Sequence, residues 1–220
     1  IDKKVNMIYN FKGVQIRIPL SCIWGETEML RSVIVFLVHI FSVIVFRVKL
    51  VGKENVPKEG AYIMCANHQS NWDAPILVSS TKRKMHVMAK EELFKNKFIY
   101  WLGDKCLVFP VKRGKMDLDS MKHSLKVLKD GEILMLFPEG TRKGMAKNGR
   151  AQNGAAFMAL RTGVPVIPVN ISGEMKPFHK VTIYYGKPLD FSEYKTSKPE
   201  KEVLEKVSKE IMDNIIMLEK

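Results

Sequence analysis

A histidine and an aspartate five positions apart, His68 and Asp73, lie in the polar segment NHQSNWD. A neutral imidazole can take a proton from a hydroxyl group at neutral pH. A carboxylate on its other ring nitrogen fixes the tautomer and stabilises the imidazolium ion that forms. Regular structure keeps residues at this spacing apart, because five positions correspond to about 140° around a helix and to opposite faces of a strand. We therefore expect that a turn joins the two side chains if they interact.

The flanking sequence predicts where this turn lies. The apolar run AYIMCA precedes the segment and APILV follows it, so the turn connects a strand to a helix, where open α/β sheets commonly place ligand sites. Two interpretations stay open here. The pair is a catalytic base with its partner, or Asp73 is a helix N-cap and His68 a loop histidine bonded to backbone. Since the sequence contains no G-x-S-x-G nucleophile motif, a catalytic His68 would activate a hydroxyl group of the substrate.

Cations and glycines follow two further predicted strands. The planar fork of arginine matches phosphate oxygens in pairs, and a nearby glycine allows the backbone to approach a ligand. Neither loop carries a nucleotide-binding motif, and either loop alone is also typical of a solvated turn. Together with the histidine, they suggest a bound phosphate beside an activated hydroxyl group. The residues are Lys112 and Arg113 after LVFPV, and Glu139, Gly140, Thr141 and Arg142 after EILMLFP.

The segments NHQSNWD, VFPVKRG, FPEGTR and VPVIPV, in this order, resemble the four sequence blocks of the glycerolipid acyltransferase family. The resemblance covers roughly residues 48–190. Within the family it is closest to the bacterial enzymes that acylate 1-acylglycerol 3-phosphate. Four blocks in one order carry more weight than any single motif. One position departs from the family pattern, because Lys143 stands where a serine often follows FPEGTR. This departure leaves the family assignment intact.

This resemblance implies an enzyme that moves a fatty acyl group from a thioester, either acyl-CoA or acyl carrier protein, to the free hydroxyl of lysophosphatidic acid, giving phosphatidic acid. It implies that His68 is the general base and that Asp73 orients it. It also implies that no cofactor or metal is needed, because the thioester is a co-substrate. The residues that it assigns to the acceptor's glycerol phosphate are Arg113, Glu139, Gly140 and Arg142. Their neighbours Lys112 and Thr141 complete the predicted substrate-binding set.

Short apolar runs alternate with amphipathic segments from Val48 onward, which predicts an α/β domain over residues 48–220. The family resemblance implies a mixed sheet flanked by helices. The predicted strands are RVKLV, AYIMCA, HVMA, CLVF, EILMLF, VPVIPVNI and KVTIYYG. The predicted helices lie near 74–81, 91–102, 117–129, 151–162 and 199–218, and the glycines expected at helix C-termini are Gly131 and Gly163.

The stretch SVIVFLVHIFSVIVF, residues 32–46, is strongly apolar and has basic residues on both sides. As a helix, the residues from Val33 to Phe46 would extend about 21 Å, whereas the hydrocarbon core of a bilayer is about 30 Å thick. We therefore expect a membrane-associated helix over 29–47 that lies in one leaflet, with a full span as the alternative. Residues 1–28 lack sustained periodicity and are interpreted as a leader or an added segment.

The net charge of +13 predicts polyanionic partners, namely anionic lipids, phosphorylated substrates or nucleic acid. Because the sequence has no recognition-helix signature, zinc site or aromatic stacking pattern, nucleic acid is not an expected partner. His86, His123 and His179 lack metal-ligand spacing. The family resemblance implies a location at the cytoplasmic face of the cell membrane.

Two alternatives stay open. The acceptor could be glycerol 3-phosphate or another lysophospholipid, with the same acyl-transfer chemistry. In a different class of function, the chain would be a non-catalytic basic module that binds a membrane.

Overall fold

The computed structural model describes residues 6–11, 14–81, 83–112, 117–140 and 153–218, with side chains from Glu28 onward. Nine strands lie within these residues. They are β1 (Asn6–Phe11), β2 (Val14–Pro19), β3 (Lys49–Val51), β4 (Tyr62–Ala66), β5 (Met85–Lys90), β6 (Val108–Val111), β7 (Ile133–Leu136), β8 (Val166–Ser172) and β9 (Thr182–Tyr185).

Strands β3 to β9 form one mixed sheet in the order β3-β9-β8-β4-β7-β5-β6. Every neighbouring pair is parallel except β8 and β9, which run antiparallel. Each of the seven strand segments predicted from the sequence overlaps one of these strands. The predicted fold class, a mixed α/β sheet flanked by helices, is confirmed.

Helices cover both faces of the sheet. Among the described residues the helices are α1 (Leu20–Val45), α2 (Asp73–Ser79), α3 (Lys97–Lys105), α4 (Leu118–Lys129), α5 (Gly154–Thr162) and α6 (Lys201–Met217). Alternate residues of β4 point to opposite sides of the sheet. Tyr62 and Met64 therefore join a core with α1 and α2, while Ile63 and Cys65 join a second core with α4, α5 and α6.

The helix predicted near residues 91–102 is divided into two pieces. A 3₁₀ turn covers Glu91–Lys95 and is followed by α3. Asn96 separates them in an extended conformation, and its side-chain oxygen accepts hydrogen bonds from the backbone N–H groups of Phe98 and Ile99 at 2.9 and 3.2 Å. This N-cap starts a new helix, which the apolar periodicity alone did not reveal.

Helix α1 begins at Leu20, earlier than the predicted start at residue 29, and β1 and β2 form an antiparallel hairpin before it. The division of the N-terminal residues into a leader and a membrane helix stays a prediction. The window Glu28–Val45 has a mean hydropathy of 2.0 and only 11% of it is buried. It is long and apolar enough to cross a membrane, which is consistent with membrane association.

Two groups of contacts attach α1 to the domain. Near its middle, Glu28 forms an ion pair with Lys84 at 2.7 Å. Near its C-terminal end, the ring of Phe41 stacks on Trp72 with the centroids 4.9 Å apart, and the buried ring of Phe46 lies against the same indole. Because Trp72 immediately precedes α2, α1 is held next to the turn that carries the predicted catalytic pair.

Candidate active site

The pairing of β4 with β7 brings the first and third sequence blocks together. Cys65 is paired with Leu136 in this parallel register. Continuing both chains by three residues from that pair leads to His68 and Glu139. The backbone N–H of His68 lies 3.4 Å from Oε1 of Glu139, and this carboxylate is almost completely buried. The two blocks therefore meet at the carboxyl edge of the sheet.

His68 and Asp73 are in direct contact. Nδ1 of the imidazole lies 2.8 Å from Oδ2 of the carboxylate. The Asp73 side chain is fully buried, whereas 14% of the His68 side chain is exposed. Since Nδ1 faces the carboxylate, Nε2 is the ring nitrogen that is left to exchange a proton with a substrate. The turn predicted from the spacing of the two residues places them as the catalytic interpretation requires.

The carboxylate of Asp73 also holds the turn itself. Its Oδ2 accepts hydrogen bonds from the backbone N–H groups of Gln69 at 2.6 Å and Ser70 at 2.7 Å. Both donors precede Asp73, whereas an N-cap would accept from residues that follow it. Trp72 occupies the N-cap position of α2 and makes no side-chain capping bond. The interpretation of Asp73 as the N-cap of α2 is therefore wrong.

Two amide side chains fasten this turn to β8. Asn67 is buried, and its side chain bonds both the N–H and the C=O of Ile171, at 2.7 and 2.9 Å. Gln69 donates its side-chain amide to the same carbonyl at 2.6 Å. Sequence reasoning did not assign either residue a role, although both belong to the NHQSNWD block. Their hydrogen bonds to Ile171 hold the backbone on both sides of the histidine.

Phe137 is a second residue that sequence reasoning missed. Its ring stacks on the His68 imidazole, with the centroids 4.0 Å apart and an angle of 16° between the planes. After it, Gly140 closes a tight turn, because its backbone N–H donates to the Phe137 carbonyl at 3.0 Å. Gly140 has a φ of 68°, a left-handed conformation that glycine adopts without strain. This turn sets the position of Glu139 beside His68.

An apolar cavity of about 320 Å³ opens beside His68 and lies between α1, α2, β5 and α3. This volume is at the lower end of the range of about 300–1,000 Å³ found for small-molecule sites. Its wall includes Cys106, and burial raises the pKa of that thiol, which keeps it neutral. Lys90 also lines this cavity. Other lining residues are Val35, Val38, Val78, Val87, Leu93, Ile99, Leu102 and Val108.

The basic loop that begins at Lys112 follows β6, which is separated from β4 by β7 and β5. Because neighbouring strands lie about 4.7 Å apart, the axes of β4 and β6 are about 14 Å apart. Lys112 follows β6 and is exposed, and its backbone N–H donates to Asp117 at 2.9 Å. Three predicted phosphate-binding residues, Arg113, Thr141 and Arg142, lie outside the described residues.

Asp117 connects this loop to α4. It is the N-cap of the helix and accepts hydrogen bonds from the backbone N–H and the hydroxyl of Ser120. The hydrogen bond from the Lys112 backbone, together with those from Ser120, lowers the pKa of Asp117 to about 2. The carboxylate thus fixes the point at which the chain leaves β6 toward the predicted phosphate loop.

Other histidines lie away from this site. His86 contacts Glu132 at 2.6 Å, and the ring of His123 packs on Phe109. Burial, with His86 and Lys126 nearby, lowers the pKa of His123. Within the described part of the chain, no cluster of three or more potential ligands is arranged to hold a metal ion.

Comparison with known proteins gives three consistent findings. The acyltransferase family model matches residues 47–172. The 1-acyl-sn-glycerol-3-phosphate acyltransferase of Bacillus subtilis (strain 168) is 32% identical over 178 residues, which cover 78% of this chain and 88% of that protein. The enzyme of the same name from Streptococcus pneumoniae is 33% identical over 141 residues, and the match spans 61% of this chain and about half, 52%, of that relative.

The fold also matches a solved structure. The crystal structure of the 1-acyl-sn-glycerophosphate (LPA) acyltransferase, PlsC, from Thermotoga maritima superposes with a TM-score of 0.60 at 25% sequence identity. The match covers 89% of this chain and 88% of that one. The likeness therefore extends over most of both chains.

Proposed function

Because this chain belongs to the acyltransferase family, we propose that it transfers a fatty acyl group from a thioester to the free hydroxyl of 1-acylglycerol 3-phosphate, giving phosphatidic acid. The observation that carries the proposal is the contact of 2.8 Å between His68 and Asp73 at an apolar cavity. The acceptor is the one named for the relatives from Bacillus subtilis and Streptococcus pneumoniae.

In the proposed reaction, Nε2 of His68 takes the proton of the acceptor hydroxyl as its oxygen attacks the thioester carbonyl. A tetrahedral intermediate forms and collapses when the carbon–sulfur bond breaks. The imidazolium then returns the proton to the leaving thiolate, so the free thiol and the new ester are the products. Asp73 keeps Nδ1 protonated and stabilises the imidazolium while it exists.

The acceptor is held by its phosphate group. The residues that we assign to the phosphate oxygens are the two arginines of the family blocks, Arg113 and Arg142, together with Lys112, Gly140 and Thr141. Glu139 is a further residue assigned to the glycerol phosphate. The described part of this arrangement supports the assignment, because Glu139 lies against the His68 backbone. Fixing the phosphate turns a bimolecular encounter into a positioned attack.

The apolar cavity holds the acyl chain of the thioester. Its wall includes aliphatic side chains from α1, α2, β5, β6 and α3, and His68 lines the same space. An acyl chain inserted there would place its carbonyl carbon next to Nε2. Acyl-CoA and acyl carrier protein are both candidate donors, and the reaction uses no resident cofactor because the thioester supplies the activated acyl group.

The exposed apolar window of α1 and the net charge of +13 support a location on an anionic membrane surface. We assign this surface to the cytoplasmic face of the cell membrane, where soluble acyl thioesters are available.

An acceptor panel tests the proposal. The purified full chain is supplied with acyl-CoA or acyl carrier protein thioester and offered lysophosphatidic acid, glycerol 3-phosphate or lysophosphatidylcholine. Formation of phosphatidic acid from lysophosphatidic acid is the expected result. Turnover of another acceptor alone would reject the proposed acceptor. Membrane binding without turnover of any acceptor would favour a non-catalytic basic module.

A further inference from the structure

A second apolar surface lies next to the exposed face of α1. Helix α3 exposes large apolar side chains around its first turns, including Phe98, which is 66% exposed, and Trp101, which is 44% exposed. These two rings stack on each other with the centroids 6.0 Å apart. Such a concentration of exposed aromatic rings on a short segment marks an interaction site rather than an ordinary surface. The remaining exposed apolar residues of α3 and of the 3₁₀ turn before it are Leu93, Ile99 and Tyr100.

This surface continues the apolar face of α1. The two helices contact each other, and both line the cavity beside His68. Helix α1 itself presents a stripe of exposed apolar residues at helical spacing, which comprises Met29, Val33, Phe36, Leu37, Ile40 and Ile44. A membrane that covers this stripe would therefore also meet the N-terminal end of α3.

The composition of the segment fits the boundary between headgroups and acyl chains. Tyr100 and Trp101 combine an apolar ring with a polar group, a property that concentrates these residues at membrane interfaces. Lys95 and Lys97 are exposed near them in the sequence, where their ammonium groups can reach anionic headgroups while the rings insert. The same stretch also exposes two acidic side chains, Glu91 and Glu92. Attraction to an anionic membrane therefore comes from the net charge of +13 of the whole chain. A membrane is the expected partner because α3 contacts α1, whose exposed apolar window is long enough to meet a bilayer.

We propose that the segment Glu91–Lys105 is a second membrane-inserting element, which places the aromatic end of α3 in the same leaflet as α1. The two elements would then flank the cavity at the level of the headgroups. A lipid could pass from the leaflet toward His68 without crossing water. The role in substrate access rests on the proposed function, whereas the insertion itself does not.

The first test uses the fluorescence of Trp101. In the full chain, Trp24→Phe and Trp72→Phe leave Trp101 as the single tryptophan, and circular dichroism checks the fold. Vesicles contain equal parts phosphatidylcholine and phosphatidylglycerol, with or without bromine atoms on the acyl chains. The emission of Trp101 should shift to shorter wavelength on binding and be quenched by the brominated lipid. Bound protein whose Trp101 is neither shifted nor quenched would overturn the proposal.

A second test compares matched double variants. Phe98→Ser with Trp101→Ser should weaken partitioning to the same vesicles by about tenfold or more, because two ring contacts with the acyl chains are lost. The control, Ile216→Ser with Met217→Ser, removes exposed apolar side chains from α6 on the other side of the sheet and should leave partitioning unchanged. If the α3 variant binds vesicles as well as the unchanged protein, the proposal fails. A change in the mass of the free particle in that variant, measured by light scattering, would then show that the surface joins copies of the chain instead.

Both measurements report binding rather than turnover. A protein that inserts Trp101 into vesicles but acylates none of the acceptors would refute the proposed function and leave the insertion intact. A protein that acylates lysophosphatidic acid while Trp101 stays in water would refute the insertion and leave the proposed function intact.

Discussion

The imidazole of His68 lies nearly parallel to the ring of Phe137, with the ring centroids 4.0 Å apart. The bond to Asp73 fixes one nitrogen of the imidazole, and the stacked ring fixes its plane. Together they leave Nε2 with a single direction in which to meet a substrate. The histidine, which follows β4, is thus oriented by Asp73 at the start of α2 and by Phe137 directly after β7.

Replacing Phe137 should impair this orientation. We expect that Phe137→Ala lowers kcat by about 10- to 100-fold, because small misplacements of a catalytic group are costly. Phe137→Leu is the matched variant that keeps apolar contact but loses the flat ring. Its kcat should lie between those of the unchanged protein and of Phe137→Ala. Steady-state kinetics at saturating donor and acceptor, with thermal unfolding as a check on folding, provide the measurement. An unchanged kcat in the alanine variant would show that the stacking is incidental.

The carboxylate of Asp73 can be tested by a change that preserves its shape. Asp73→Asn should lower kcat by up to about 10⁴-fold, because an amide cannot stabilise the imidazolium and favours the wrong tautomer. Vesicle binding should be retained, since it depends on other surfaces. Turnover close to that of the unchanged protein would mean that Asp73 serves the turn alone, through its bonds to Gln69 and Ser70.

The contact of His68 with Asp73 is one of the two interpretations that the sequence leaves open, and the features that favour it are local. The apolar run before the histidine ends a strand, the polar segment forms a turn, and only a turn can join residues at this spacing. The family resemblance assigns Glu139 to the same substrate site as His68, and the register between β4 and β7 explains why the two residues meet. Strand positions were predictable for the same reason, since short apolar runs mark buried parallel strands.

Features that depend on contacts between distant segments were not predictable. The stacking of Phe137 on His68 and the two bonds of Asn67 to Ile171 each join residues about 70 to 100 positions apart. The cavity is equally nonlocal, because α1, α2, β5 and α3 each supply part of its wall. The break between the 3₁₀ turn and α3 at Asn96 was missed for another reason. The apolar pattern continues through Asn96, and the pattern does not show that the Asn96 side chain caps a new helix.

The depth of the cavity should decide which acyl chains are accepted. Val108 is paired with Val87 on β5, three residues before Lys90, so it lies about 10 Å below the carboxyl end of that strand. Val108→Phe should shift the preference toward shorter acyl donors by filling this end, and Val108→Ala should shift it toward longer ones. Competition assays with acyl-CoA of several chain lengths measure the preference. The same preference in all three proteins would place the acyl chain elsewhere.

Asp117 should make stability depend on acidic pH. Its folded pKa of about 2 lies below the ordinary value of 3.8. Its contribution is therefore fully present above about pH 4 and is lost as the pH falls toward 2. Asp117→Asn keeps a capping side chain but removes the titrating group. The free energy of unfolding of this variant should therefore decline less steeply between about pH 4 and pH 2 than that of the unchanged protein. Urea unfolding at several pH values measures this, and the same dependence on pH in both proteins would contradict the prediction.

The central claim is tested most directly by the turnover of lysophosphatidic acid after His68→Ala. His179→Ala is the matched control, because that histidine is exposed and lies outside the candidate site. Labelled phosphatidic acid formed from acyl-CoA on vesicles measures the rate, and sedimentation with the same vesicles measures binding. We predict a loss of about 10²- to 10⁴-fold in rate for His68→Ala, with normal binding, and no loss for the control. A His68→Ala protein that forms phosphatidic acid at the rate of the unchanged protein would contradict the account.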